Sequence, residues 1–328
     1  MKRIRVGLVG CGHRGTGLLK NLLVRSEFEV YAVCDTDRER LNQSKQLGGP
    51  GVKSYAHYRE LLKDHDVEAV IVTTPQYTHR DVATAALHAR KDVYCEKPFA
   101  LSVAECDDII EAARATQQVL VVGQQMRYHA HLHKMAAIID SGELGKPVMI
   151  WLREFRNPFP ENMKWAFDKQ RSGGLLVEKN CHHFDVFRWF ARSEPVSVYA
   201  SGGNDVHRKP FGIDSTILDN AYVTVNFENG ARASLQICMF MGQPAVTESG
   251  VGFHSREIGV ACEQGMLRTE GFDLGQNVEV RYANSGNSTL HTIEHGSCVP
   301  GKFNQSGNAG ILTEFADCIR ERTRPFAD

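Results

Sequence analysis

Long apolar runs and a strong excess of charge of one sign are both absent from this sequence. No run approaches the roughly 20 apolar residues that a membrane-spanning helix requires, so a membrane protein is not expected. The formal net charge is −1, which provides no general attraction to nucleic acid or to an anionic membrane surface. The amino-terminal stretch MKRIRVGLVGCG runs from basic residues into glycines without a cleavage-type segment, unlike a signal peptide. We therefore expect a cytoplasmic globular protein whose partner is a small molecule.

The sequence also has no closely spaced pair of cysteines. Its nine cysteines are scattered and form no C-x-x-C motif. An odd number of cysteines, several of them inside apolar segments, favours buried and reduced thiols, as is usual in the cytoplasm. A zinc site needs paired ligands at short spacing, so no metal is expected.

The amino-terminal part of the chain alternates between short apolar runs and segments of helical spacing. The apolar runs are of the kind that a parallel sheet buries on both faces. Strand–helix alternation of this length predicts a doubly wound α/β domain over residues 1–123. The predicted strands are 4–10, 29–35, 68–74, 92–98 and 119–123, and the predicted helices include 38–47, 58–62, 78–89 and one that begins after Ser102.

The pattern changes after Gln124, where strands become longer and alternate more clearly. The segments VMIWLREFR, VSVYASGG, AYVTVNF and ARASLQICMF have strand character, and Glu228-Asn229-Gly230 forms a hairpin turn between the last two. Few helices separate them, so residues 124–328 are predicted to form an α+β domain with a mostly antiparallel sheet. The regions 242–252 and 284–310 are predicted to be loops, and 310–322 the last helix.

A glycine loop follows the first predicted strand and opens a helix. Gly10-Cys11-Gly12-His13-Arg14-Gly15 reads G-x-G-x-x-G, and Asp35 ends the next strand 20 residues further on. In that context the motif predicts a dinucleotide site, with the pyrophosphate at the helix N-terminus. Asp35 would accept hydrogen bonds from ribose hydroxyls, which favours NAD, and the nearby Arg38 leaves NADP as the alternative.

Two further strands of the first domain end in polar loops. Thr74-Pro75-Gln76-Tyr77-Thr78-His79 follows one, and Glu96-Lys97-Pro98 ends the next. Ligands of such folds lie beyond the carboxyl ends of the strands, so both loops are candidates for contact with the cofactor. A lysine in a partly desolvated site can exchange a proton with a hydroxyl, which makes Lys97 a candidate catalytic group.

The segment GGLLVEKNCHHFDVFRW, residues 173–189, predicts a helix with Glu178, His182 and Asp185 at positions i, i+4 and i+7. This spacing places the three side chains on one face. His182 can accept a proton, and Asp185 can hold a substrate hydroxyl. The adjacent Lys179 adds a positive charge that can bind an acidic substrate, tune Glu178 or face solvent.

Taken together, these motifs resemble the glucose–fructose oxidoreductase / inositol dehydrogenase / rhizopine catabolism (Gfo/Idh/MocA) family. The resemblance rests on the glycine loop, T-P-x-x-x-H, E-K-P and G-G-x-x-x-(acid)-x-x-x-H-x-x-D, and it covers nearly the whole chain. It implies a Rossmann domain followed by a domain on a large open sheet. It also implies NAD(P)-dependent oxidation or reduction of a sugar, glycoside or cyclitol, and a homo-dimer or homo-tetramer.

The motifs and the resemblance together predict roles for individual residues, and the resemblance alone implies that one peptide bond is cis. The catalytic group would be Lys97, His182 and Glu178, and the Lys97–Pro98 peptide would be cis. Substrate would contact Asp185, Lys179, Arg127 and Tyr128. The cofactor would contact Gly10, Gly12, His13, Arg14, Gly15, Asp35, Thr74, Pro75, His79, Glu96 and Lys97.

This chain departs from the family at residue 178, where glutamate replaces the commoner aspartate and Lys179 follows it. No specific substrate can therefore be transferred from the inositol dehydrogenases. A glycosidase or lyase that oxidises its substrate transiently with retained NAD is one alternative. A non-catalytic NAD or sugar sensor is another, although Lys97 and His182 would then have no use.

Overall fold

A computed structural model of the 328-residue chain describes residues 2–241, 255–270, 277–283, 287–292 and 307–326. The chain forms two compact units. Unit 1 comprises residues 1–125 and 308–328, and unit 2 comprises residues 126–307.

Unit 1 alternates strands and helices and closes with a helix from the far end of the chain. Its elements are β1 (Ile4–Val9), α1 (His13–Leu23), β2 (Phe28–Cys34), α2 (Arg38–Gly48), β3 (Lys53–Tyr55), α3 (Tyr58–Lys63), β4 (Ala69–Val72), α4 (His79–His88), β5 (Asp92–Cys95), α5 (Val103–Thr116), β6 (Leu120–Val122) and α10 (Asn308–Glu321). The six strands form a parallel sheet in the order β3-β2-β1-β4-β5-β6. This order is that of a dinucleotide-binding fold, which confirms the predicted fold class for this part of the chain.

The burial of β1 fits its central position in the sheet. Val6 and Leu8 on β1 are completely buried, as are Leu18 and Leu22 on α1. A central parallel strand with helices on its faces has no solvent side, which accounts for the continuous apolar run. Phe315 of α10 is buried as well and lies against Phe28 and Tyr94, at ring-centroid distances of 6.3 and 6.1 Å.

Unit 2 is built on one large sheet. Its elements are α6 (Ala130–Ser141), β7 (Pro147–Phe155), α7 (Lys169–Ser172), α8 (Leu175–Glu178), α9 (Cys181–Ala191), β8 (Pro195–Gly203), β9 (Asn220–Phe227), β10 (Arg232–Cys238), β11 (Ser255–Cys262), β12 (Gly265–Glu270), β13 (Asn277–Tyr282) and β14 (Ser288–Thr292). The strand order is β14-β13-β12-β11-β7-β10-β9-β8. Among the described strands of this sheet only the β7–β10 pair is parallel, so the predicted mostly antiparallel sheet is confirmed.

Alternation along β7 sets one face of this sheet toward the core. Ile150, Leu152 and Glu154 are all buried, whereas Met149 and Arg153, on the opposite face of the strand, are exposed and Trp151 is partly buried. Helix α9 packs on the strands β7 and β10 with Phe187 and Phe190. Glu154 therefore occupies a position where the pattern calls for an apolar residue.

The structure corrects several expectations. Residues 173–189 do not form one helix, because α8 ends at Glu178 and α9 begins at Cys181. Residues 308–328 belong to unit 1 and not to the second domain. Strand β14 lies within the predicted loop 284–310, while residues 242–252 of the other predicted loop fall outside the described residues. The short edge strand β3 was not predicted, because its three residues show no periodicity.

Candidate functional site

In the glycine loop of unit 1, the two outer glycines have no room for a side chain, whereas the middle one does. Gly10 has a φ of +98°, and a Cβ there would lie 2.7 Å from the backbone of Thr73. A Cβ on Gly15 would lie 1.9 Å from the Gly10 carbonyl oxygen, whereas the nearest atom to a Cβ on Gly12 is Nη1 of Arg40, at 3.8 Å. Gly12 directly precedes α1, so its open backbone lies at a helix N-terminus, where a pyrophosphate can approach the amide groups. The loop thus fits a dinucleotide.

Asp35 is fixed beside this loop by backbone donors. One carboxylate oxygen accepts from the amide of Cys11 at 2.6 Å, and the other accepts from the amide of Asp37 at 2.8 Å. A carboxylate oxygen has more than one acceptor position, so ribose hydroxyls can still donate to Asp35. Arg40, which sequence reasoning missed, is the cation nearest to Gly12. Its only signal in the sequence is its place in the helix after Asp35.

Glu96 organises the end of β5. It is buried, and its Oε1 accepts from the Arg14 guanidinium at 2.6 Å and from the Tyr94 hydroxyl at 2.8 Å. Its Oε2 accepts from the backbone amide of Lys97 at 3.0 Å. Burial lowers the pKa of Arg14, but the attraction of Glu96 outweighs it and the net pKa is raised. Burial and the Glu96 charge both raise the pKa of Tyr94, which therefore stays a hydrogen-bond donor.

His79 joins the two polar loops that follow β4 and β5. Its ring is buried, with Nε2 2.8 Å from the Thr74 carbonyl oxygen and Nδ1 2.9 Å from the Pro98 carbonyl oxygen. Burial lowers the pKa of His79, against the two carbonyls, which raise it. The Lys97–Pro98 peptide is cis, as the family resemblance implied. His79 therefore positions the loop that carries Lys97. Pro75 precedes the short 3₁₀ helix Gln76–Thr78, which leads to His79.

The remaining predicted residues of unit 1 are placed as follows. His13 is the first residue of α1 and is exposed. Arg14 is directed to Glu96 and to the Asn308 side chain, at 2.9 Å, within unit 1. The thiol of Cys11 is buried, which raises its pKa to about 11. The loop therefore presents no thiolate at neutral pH.

In unit 2, the break between α8 and α9 separates Glu178 from His182. Both side chains belong to buried residues, but they lie on different helices, so the i, i+4 argument does not relate them. His182 and Asp185 remain three residues apart on α9 and share a face. Asp185 receives two hydrogen bonds from Arg127, at 2.8 and 2.7 Å. Tyr128, next to Arg127, is buried.

Lys179 joins a group of charged side chains that we call the Glu154 cluster: Glu154, Arg156, Lys179, His183 and Arg256. Glu154 is completely buried, and its carboxylate lies 2.7 Å from Arg256, 3.4 Å from Lys179, 3.7 Å from Arg156 and 3.3 Å from His183. Burial lowers the pKa of His183 to about 3 although Glu154 raises it, so this imidazole is neutral. Sequence reasoning found only Lys179. The available signal for the others was the charged Glu154 in the buried register of Ile150 and Leu152.

Comparison with known proteins agrees with this architecture. Residues 4–124 match the oxidoreductase family with an NAD-binding Rossmann fold, and residues 132–268 match the GFO/IDH/MocA C-terminal domain. These matches lie in both units and end at residue 268. The chain belongs to the GFO/IDH/MocA family of NAD-binding oxidoreductases, as its motifs predicted.

Individual relatives carry related names. The chain is 30% identical over 228 residues to a myo-inositol 2-dehydrogenase of Thermotoga maritima, a match that covers 70% of this chain and 66% of the relative. It is 35% identical over 201 residues to an inositol 2-dehydrogenase of Salmonella typhimurium, covering 60% and 57%. The matched region thus spans less than two thirds of these curated relatives.

A solved structure shows the same fold at lower identity. The 3-ketoreductase from Actinomadura kijaniata in complex with NADP has a TM-score of 0.79 and 19% identity, with coverage of 99% of this chain and 92% of that chain. None of the helices in the described ranges is long and apolar enough to cross a membrane.

Proposed function

We propose that this protein is an NAD(P)-dependent dehydrogenase that transfers a hydride between nicotinamide and a hydroxyl or carbonyl carbon of a sugar, glycoside or cyclitol. One observation carries the proposal. Unit 1 combines a glycine loop that is open only at Gly12 with a lysine loop that is held by two buried side chains, Glu96 and His79. Family membership and the names of the inositol dehydrogenase relatives support it.

The proposed roles follow from the chemistry of the side chains. A bound nicotinamide supplies the hydride acceptor or donor, and the protein has to move the hydroxyl proton. Lys97 and His182 are the proposed proton acceptors, because both can exchange a proton near neutral pH when their surroundings lower or raise the pKa. Glu178 is proposed to assist them. Asp185, held by Arg127, is proposed to orient a substrate hydroxyl, with Lys179 and Tyr128 at the same site.

NAD is the proposed cofactor, with NADP as the alternative. Asp35 supports NAD, because its carboxylate would repel a 2′-phosphate. Arg38 and Arg40 on α2 supply the cations that would favour NADP. The ratio of kcat/KM for NAD to that for NADP measures the preference, and Asp35→Ala should shift this ratio toward NADP.

A homo-dimer or homo-tetramer is proposed for the assembly. Large apolar side chains are exposed on the sheet of unit 2, and the most exposed among them are Val198, Tyr199 and Tyr222, at 67%, 74% and 64%. Exposed apolar patches of this kind mark protein interfaces. Light scattering measures the mass, and a monomer would contradict the proposal. The cytoplasmic location stays a prediction from the sequence.

The deciding experiment is nicotinamide absorbance with NAD and a panel of inositols, free sugars and glycosides. Lys97→Ala should lower kcat by about 10²–10⁴-fold, the range expected for a lost general acid–base. Lys63→Ala, an exposed lysine at the end of α3, serves as the matched control and should keep full activity.

Three results would change the proposal. Products without net NADH would indicate transient oxidation by a glycosidase or lyase. NAD binding without any product would indicate a sensor. Failure to bind NAD or NADP would contradict the proposal from the glycine loop onward.

A further inference from the structure

The carboxylate of Glu96 links the loop that carries Lys97 to the rest of unit 1. Its Oε2 accepts from the backbone amide of Lys97 at 3.0 Å. Its Oε1 accepts from the Tyr94 hydroxyl at 2.8 Å and from the Arg14 guanidinium. A carboxylate is planar and rigid, so any rotation at Oε1 also displaces Oε2. The position of the Lys97 backbone therefore depends on how firmly Oε1 is held.

Two nitrogens of Arg14 converge on that one oxygen. Nε lies 2.7 Å and Nη2 lies 2.6 Å from Oε1 of Glu96. An arginine that donates to both oxygens of a carboxylate is fixed in orientation by two parallel hydrogen bonds, whereas one that converges on a single oxygen can pivot about it. The Arg14 side chain is also 33% exposed, so water competes for its donors. A further contact is needed to stop the pivot.

Asn308, the first residue of α10, supplies this contact. Its Oδ1 accepts from Nη2 of Arg14 at 2.9 Å, across a separation of 294 residues. Nη2 carries two hydrogens, so it can donate to Asn308 and to Glu96 at the same time. The path of contacts from Asn308 through Arg14 and Glu96 to the Lys97 amide lies entirely within unit 1.

Helix α10 also supports the second donor to Oε1. Phe315 lies edge-on to the ring of Tyr94, with the centroids 6.1 Å apart, and both side chains are completely buried. A Cβ on Gly123 would lie 3.0 Å from the Tyr94 hydroxyl and 3.1 Å from Glu96, so both groups are closely enclosed. The two side chains that donate to Oε1 thus contact the same helix.

The helix has anchors that do not involve Asn308. Arg25 donates to the Thr313 hydroxyl at 2.9 Å and to the Ala309 carbonyl oxygen at 2.5 Å, and Phe315 is buried in the core. Removing the side-chain amide of Asn308 should therefore leave α10 in place. The effect of the Asn308 contact can then be measured separately from the docking of the helix.

We infer that Asn308 is a positioning residue for the proposed reaction. By fixing Arg14 it holds Glu96, and through Glu96 it holds the backbone of Lys97, the proposed proton acceptor. The inference rests on the proposed function and adds to it a residue from the far end of the chain. The cofactor-binding unit is then functionally complete only with α10.

Three variants test this through the kinetics of the proposed reaction. Asn308→Ala should lower kcat about tenfold, the size of one hydrogen bond to a charged group, and should change KM and the Kd for NAD by less than about twofold. Asn308→Asp keeps an acceptor oxygen and should restore most of kcat. Thr313→Val removes a different hydrogen bond between an arginine and α10 and should keep the wild-type kcat.

Two kinetic results would overturn the inference. Equal losses of kcat in Asn308→Ala and Thr313→Val would show that α10 acts only as a structural support. Failure of Asn308→Asp to restore kcat would show that the acceptor oxygen is not what matters.

Hydrogen exchange at the Lys97 amide tests the same path of contacts without turnover. Exchange requires this amide to leave Oε2 of Glu96. Asn308→Ala should speed exchange about tenfold, whereas Thr313→Val and Asn308→Asp should match the wild type. Mass spectrometry measures the rates.

This measurement separates the two proposals. Faster exchange in Asn308→Ala, in a protein that turns over no sugar, glycoside or cyclitol, would support the positioning role and overturn the dehydrogenase. Unchanged exchange in Asn308→Ala would overturn the positioning role, even where the wild type is an active dehydrogenase.

Discussion

Each unit of this protein buries a glutamate near its proposed functional residues, and the two glutamates are paired differently. Glu96 of unit 1 meets one cation, Arg14, together with the Tyr94 hydroxyl and a backbone amide. Glu154 of unit 2 meets three cations and a neutral imidazole. The carboxylate of Glu96 thus faces one cation, whereas the carboxylate of Glu154 faces three.

The difference lies in how each buried carboxylate is paired. Unit 1 satisfies Glu96 with one cation, a hydroxyl and a backbone amide, and it leaves open backbone at Gly12, which suits a cofactor that binds through amides and helix ends. Unit 2 instead surrounds its buried carboxylate with three cations, Arg156, Lys179 and Arg256.

Removing the carboxylates should have the largest effect. Glu154→Ala leaves three cations together and should lower the free energy of unfolding of unit 2 by about 3–5 kcal/mol. Glu96→Ala leaves a single cation whose side chain is 33% exposed, so about 1–3 kcal/mol is expected for unit 1. Urea unfolding followed by tryptophan fluorescence reports on unit 2 alone, because Trp151, Trp165 and Trp189 all lie there.

Circular dichroism follows both units in the same titration. Equal costs for the two alanine variants would contradict the comparison between the glutamates.

Acid should destabilise unit 2 through His183. Burial holds its folded-state pKa at about 3 against an ordinary 6.5, so between these values the unfolded chain binds a proton that the folded chain does not. Stability is therefore lost as the pH falls below 6.5, by about 2 kcal/mol at pH 5 for this one residue. Burial also lowers the pKa of His131, which adds a loss of the same sign.

Tryptophan-detected urea unfolding at pH 7 and pH 5 measures this loss. His183→Gln should reduce the dependence on pH whatever its stability at pH 7. An unchanged dependence would show that His183 is not the titrating group.

Filling the open position of the glycine loop should weaken cofactor binding selectively. Gly12→Ala should raise the Kd for NAD at least about tenfold, or about 1.4 kcal/mol, because the new methyl group occupies space beside the loop and meets no protein atom closer than 3.8 Å. Stability should be nearly unchanged. Gly15→Ala is the contrasting variant, since its Cβ would overlap the Gly10 carbonyl and should destabilise the fold itself.

Isothermal titration with NAD and thermal unfolding distinguish these two effects. Wild-type affinity in Gly12→Ala would show that the dinucleotide does not approach the backbone there.

Much of unit 1 could be predicted from the sequence because its signals are local. Buried runs such as that of β1 and the glycine spacing from Gly10 to Gly15 depend on neighbours along the chain. The role of Arg14 could not be foreseen, because its partner Glu96 lies 82 residues away. The same holds for α10, which returns to unit 1 through contacts of Phe315 with Phe28 and Tyr94.

Unit 2 shows a different limit. No proline in the sequence marks the helix break after Glu178. Helical spacing from Glu178 to Asp185 therefore predicted a single face that the backbone does not form. The Glu154 cluster draws residues from β7, the segment after it, the junction of α8 and α9, α9 itself and β11. The pairing of Glu154 with Arg256 across two adjacent strands and the packing of α9 on β7 bring these distant residues together.

The return of α10 also has a consequence for biosynthesis. A ribosome makes the six strands of unit 1 first, then all of unit 2, and only afterwards the residues of α10 that cover Phe28 and Tyr94. About 180 residues, the span 126–307, are therefore synthesised before α10. Until then part of the apolar core of the first unit is uncovered. During that interval exposed apolar surface invites aggregation and chaperone binding. The cofactor-binding unit begins first and is completed last.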